Sequence, residues 1–142
     1  MKISKEDFAQ KLTEIFPEKA AALKQHYEEY GELLGHVFFS DEINVPLFAM
    51  LMERESGDEI SKYCVFIEEM WRDGADDVVN IVNVTIVERL SDDETVWEHF
   101  GKNISDDFIT YINEDWLIAN KLMMCSIKRL EFNGRRRGGD YE

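Results

Sequence analysis

The chain has 142 residues, 44% of them apolar and 12% aromatic, with 16 basic against 30 acidic side chains and a formal net charge of −14. That is one domain's length, enough to bury a core without disulfides or metal. The charge excludes a nucleic-acid binder that works by neutralising phosphates, because such a field repels DNA, RNA and anionic membranes alike.

The start, MKISKEDFAQKL, carries charges where a secretion signal needs an apolar run. The longest apolar run, Val45 to Met52, is far short of the roughly 20 residues a bilayer demands. A cytoplasmic protein without a membrane segment is therefore expected. Ser4 and Asp7 form a near capping box, and Phe8, Leu12 and Ile15 share a face, which predicts a helix near 5 to 16. Pro17 suits the first turn of a second helix, with Ala20, Leu23, Tyr27, Tyr30 and Leu34 as its apolar seam and Gly35 as its stop. Asn44 as cap and Pro46 in the first turn predict a third near 45 to 56, a strand being the lesser alternative.

Beyond Asp58, Tyr63, Phe66, Ile67, Met70 and Trp71 repeat at helical spacing opposite Lys62, Glu68, Glu69, Arg72 and Asp73, and Gly74 ends the pattern. The β-branched stretch 78 to 90 alternates briefly like a strand. Val79, Val82, Ile86 and Leu90, after an acidic first turn at Asp76 and Asp77, predict a helix buried on most sides. Ser91 to Glu94 opens a short helix carrying Val96, Trp97 and Phe100, stopped by Gly101. Ser105 starts the last long one, on which Phe108, Ile112, Trp116 and Ala119 share a face directed on towards Leu122. Six or seven helices imply a single all-α domain over residues 1–132, an antiparallel bundle or short α-solenoid-like stack, with Phe66, Ile67, Met70, Trp71, Val82 and Ile86 in its core. Residues 133–142, NGRRRGGDYE, have nothing apolar to bury before Tyr141 and read as a mobile tail.

Chemistry-bearing patterns are sparse. The acidic doublets Glu28-Glu29, Glu68-Glu69, Asp76-Asp77, Asp92-Asp93 and Asp106-Asp107 are poor chelators, since neighbours on a helix point about 100° apart, and several stand where helices start. His26, His36 and His99 lack metal-ligand spacing, and Cys64 and Cys125 sit in apolar surroundings as reduced thiols with no activating base. No phosphate loop, dinucleotide fingerprint or nucleophile elbow occurs. No metal, cofactor or catalytic residue is assigned, and a non-enzyme is expected. The tryptophans read as core, and Asn80 and Asn83, on an otherwise apolar helix, as amides bonding across to neighbours.

The segments GELLGHVFFSDEI (31–43), CVFIEEMW (64–71) and VVNIVNVTIVERL (78–90), in that order, resemble a group of small acidic helical bacterial proteins. These are known mainly as domains of unknown function, and some are suspected immunity proteins of polymorphic-toxin systems. The resemblance covers about residues 25–120, carries no catalytic residue, and leaves the first helix and the arginine-rich tail aside.

Charge is uneven along the chain: residues 41–115 hold 20 acids and 5 bases, whereas residues 121–142 hold 3 acids and 6 bases. The expectation is an acidic face docking on a basic protein, a toxin or nuclease, through Glu68, Glu69, Asp73, Asp76, Asp77, Asp92, Asp93 and Glu94. Alternatives are a nucleic-acid mimic that inhibits a defence protein, a small helical ligand-binding or enzyme domain, and charge that serves solubility alone. Oligomeric state is left open.

Overall fold

In the computed structural model, which describes residues 2–55, 57–120 and 127–133, the first helix begins where its capping signal lies. The Ser4 hydroxyl accepts from the Asp7 N–H at 3.1 Å, and α1 covers Lys5–Ile15. Pro17–Lys19 forms a single 3-10 turn leading into α2, Ala20–Tyr30. That helix stops at Gly31, whose φ of 75° is a left-handed cap, and so ends short of Gly35. The expected seam changes with it: Leu23 and His26 point inward, while Tyr27 and Tyr30 are exposed. The physical reason is the Leu34 N–H, which leaves the helical ladder and donates to His26 Nε2 at 2.9 Å.

The next helix starts ten residues earlier than predicted. Gly35–Phe39, a π turn at Ser40–Asn44 and Val45–Met52 run on as one helix, α3. Asn44 is an interior residue here and not a cap; it is buried and donates through Nδ2 to the Ile86 carbonyl at 3.2 Å. Pro46 has no N–H to give and crowds the preceding turn, and the widened π turn immediately before it, with Val45 N–H bonding Ser40 O, accommodates this.

Helix α4 covers Asp58–Asp73. Helix α5 joins Asp76–Ile81, a π turn at Val82–Val87 and Glu88–Leu90, so the β-branched stretch is helical as its 3-and-4 spacing implied. Helix α6 is Glu94–Gly101, and α7 joins Asp106–Tyr111, a π turn at Ile112–Trp116 and Leu117–Asn120. The π turn shifts the inward face of α7 by about one residue, so Leu117 is buried and Ala119 exposed. Leu122, Cys125 and Arg135 to Arg137 lie outside the described residues.

Seven helices with no strand among the described residues make an all-α domain. A single β-bridge ties the N-terminus to the α4–α5 junction, where Ile3 N–H donates to Asp73 O and Ala75 N–H to Ile3 O, both at 2.9 Å. Helix α3 packs on α4, α5 and α6, and α1 packs on α4. Phe66, Ile67, Met70, Val82 and Ile86 are fully buried. Trp71 is only half-buried, because it packs one face on Phe108 and Tyr111, with centroids 4.8 and 5.2 Å away, at the edge of the core.

Candidate functional site

Of the acidic residues expected to form one docking face, the structure divides the group. Glu68 is 8% exposed, and its carboxylate accepts from Ser105 N–H at 2.7 Å, from the Ser105 hydroxyl at 2.6 Å and from Arg72 at 3.4 Å. It ties α4 to the start of α7 and is not part of the exposed acidic face, because a buried carboxylate needs those donors and finds them inside the fold. Glu69 is half-buried beside Lys11, at 3.5 Å. Asp73, Asp76 and Asp77 are exposed and in no ion pair among the described residues. They flank the α4–α5 junction that the Ile3 bridge pins, and the latter two also face the positive end of α5.

The second acidic segment is largely committed to neighbours. Asp92 pairs with Arg89 at 3.0 Å, Asp93 caps α6 by accepting from Val96 N–H at 3.1 Å, and Glu94 pairs with Lys128. That last contact holds the Lys128 ammonium above the usual lysine pKa, chiefly by hydrogen bonding to Glu94.

Lys128 belongs to a feature without a sequence signal, a strap of residues 127–133 without helix or strand, lying along α6 and the first half of α7. Trp97 Nε1 donates to Lys128 O at 2.8 Å. The buried Asn113 carboxamide takes both backbone groups of Leu130, donating to its O and accepting from its N–H, each at 2.8 Å, as an adjacent strand would. Asn133 donates to Gly101 O at 3.0 Å and Ile104 O at 2.8 Å, while its N–H donates to Asp106 at 3.2 Å. Leu130 is 6% exposed and lies so close to Gly101 that a Cβ there would sit 3.1 Å from its Cδ2. Asn133, where the tail was expected to begin, is anchored by three hydrogen bonds, and the remainder of the predicted tail lies outside the described residues.

Three clefts adjoin this strap. One of about 520 Å³ is lined by Trp97, Glu98, Gly101 and Lys128 to Asn133, and one of about 210 Å³ by Asp92, Glu94, Trp97 and Lys128. A third, of about 610 Å³, lies between Val65, Glu68 and the 102–107 segment and reaches Asn133.

Elsewhere the polar groups serve packing. Asn83 accepts from Tyr111 OH at 2.7 Å, and its carbonyl accepts from Trp116 Nε1 at 2.9 Å; Asn80 is exposed, contrary to expectation, because it lies on the solvent side of α5. His36 meets Thr85 at 2.6 Å and His99 meets the Glu55 carbonyl at 2.7 Å. Burial pushes the Cys64 thiol up to about 12, which leaves no reactive thiolate at neutral pH. Among the described residues no three His, Cys, Asp or Glu side chains group to hold a metal ion, and no helix is long and apolar enough to cross a membrane.

The fold and surface define an acidic, all-α domain. Residues 9–118 match the family described as a domain of unknown function, DUF7674, and the chain belongs to that family. The match takes in most of α1, which the sequence resemblance left aside, and ends within α7, so the strap lies beyond it. No curated protein and no solved structure matches the chain.

Proposed function

We propose that this chain is a non-enzymatic binding protein of the immunity or inhibitor kind, acting in the cytoplasm and docking its acidic surface on a basic protein such as a nuclease toxin. The observation that carries the reading is the group Asp73, Asp76 and Asp77: three exposed carboxylates without ion pairs among the described residues, on a junction fixed by the Ile3 bridge. Carboxylates meant only for solubility work as well when scattered and mobile, whereas a rigid unpaired group can meet a cationic groove without first breaking its own contacts. Glu69 stands one helical turn before Asp73 and extends the group.

The test is affinity capture from the source cell at low salt with the wild-type chain and with the double variant Glu69→Lys, Asp73→Lys. A basic protein held by the wild type, released by salt and lost from the variant is the expected result. Equal recovery by both proteins overturns the assignment of these residues.

A further inference from the structure

The strap is bonded to the domain in the way a bound peptide would be. Its backbone is read by Trp97 and by both ends of the Asn113 carboxamide, Leu130 is its one fully buried side chain, and its two cations meet three glutamates. Lys128 pairs with Glu94 and, at 3.9 Å, with Glu98; Arg129 pairs with Glu114 at 3.1 Å. Lys128, Arg129, Glu131 and Phe132 are exposed, and clefts of about 520 and 210 Å³ adjoin the strap, so it does not fill the groove it occupies. Only Leu130 and the partly buried Ile127 pack on the core while four of its seven residues are exposed, and segments with so little buried apolar surface open more readily than core helices.

We propose that the groove between α6 and α7 is a peptide-recognition site for an extended segment with two successive basic residues followed by a leucine-sized apolar residue, and that residues 127–133 hold it in cis until such a segment of a basic partner replaces them. The recognition elements divide by chemistry. Asn113 and Trp97 demand an extended backbone, the recess at Gly101 demands the apolar side chain, and Glu94, Glu98 and Glu114 demand the cations. The inference rests on the reading of this chain as a binder of a basic protein, and it places a second contact apart from the α4–α5 junction.

A fluorescein-labelled peptide of sequence Ile-Lys-Arg-Leu-Glu-Phe-Asn, matching residues 127–133, tests the groove without any knowledge of the partner. Its anisotropy is titrated with the full-length wild type and with full-length Leu130→Ser, Asn133→Ala, whose strap is weakened. The wild type should bind weakly, since an attached segment competes at high effective concentration. The weakened variant should bind at least tenfold more tightly, with affinity falling as salt rises. A peptide with Asp in place of Leu should fail to bind, a control that leaves the protein untouched. Equal binding by both proteins, or indifference to the Leu-to-Asp change, overturns the proposal. Concentration-dependent dimerisation of the wild type that the peptide abolishes also overturns it, and assigns the groove to the strap of a second copy. Failure here with capture still lost in Glu69→Lys, Asp73→Lys removes the groove and leaves the acidic surface standing.

Discussion

Glu68 gives the sharpest separation between a carboxylate that holds the fold and one that is free to dock. Glu68→Ala removes the acceptor for two short bonds, at 2.7 and 2.6 Å, from the backbone and hydroxyl of Ser105. Hydrogen bonds to a charged group contribute about 1.5 to 3 kcal/mol each. The Arg72 contact adds little, since it is 3.4 Å long and the arginine is half in solvent. Water can reach Ser105, which is exposed as a residue, and this lowers the sum to about 3 kcal/mol. At about 3 °C per kcal/mol for a domain of this size, the melting temperature should fall by roughly 10 °C. Ser105→Ala should cost about 1 to 2 kcal/mol, because its hydroxyl also caps α7 by accepting from Phe108 N–H at 3.2 Å. Since the two residues share a bond, the double variant should be less destabilised than the two single losses together by about 1 kcal/mol. Urea unfolding of the four proteins measures all of this. A loss below 1 kcal/mol for Glu68→Ala, or full additivity, would refute the role given to this carboxylate, whereas Asp73→Ala should leave stability within about 0.5 kcal/mol.

Four further outcomes are expected. Cys64, with its pKa at about 12, should resist iodoacetamide in the native protein at pH 8 and react once unfolded. Because the folded state keeps that proton while the unfolded thiol, with its ordinary value of 9.0, loses it, stability should fall as pH rises from about 9 towards 12; an upward trend in chemical unfolding there would contradict the burial. Trp71→Ala should cost about 2 kcal/mol, less than the 3 to 5 of a fully buried tryptophan, and a loss above 4 in urea unfolding would place it in the core. Asn113→Ala should leave both backbone groups of Leu130 without partners, cost about 2 kcal/mol, and raise hydrogen exchange at the Leu130 amide before any at α4.

The helices were legible wherever apolar spacing and a capping side chain agreed. Ser4, Asp93 and Ser105 each accept from the N–H three residues on, and α1, α6 and α7 begin beside them. Local pattern misleads where packing overrides a residue's usual role. Gly35 looks like a stop yet opens α3, while Gly31 is the actual cap. Asn44 and Pro46 imitate a helix start so well that the first ten residues of α3 were hidden, and only a π turn lets both occupy a helix interior. The asparagines that matter to packing, Asn44, Asn83 and Asn113, lie one in each of the three π turns, which periodicity at 3.6 cannot represent.

Net charge and its concentration between residues 41 and 115 were readable, but the commitment of each carboxylate was not. Glu68 and Glu69 are neighbours in sequence and identical in chemistry, yet one is buried on Ser105 and the other lies half-exposed beside Lys11. What separates them is the 100° turn between successive helical residues together with a serine 37 positions away, a pairing that no local pattern encodes. The same holds for the strap, whose two cations and single leucine look like ordinary surface composition until three glutamates and Asn113 are brought opposite them. An acidic doublet is therefore a candidate for docking only after its internal donors have been counted, and of the eight residues expected to form the docking face, Asp73, Asp76 and Asp77 are the ones that no internal donor among the described residues holds.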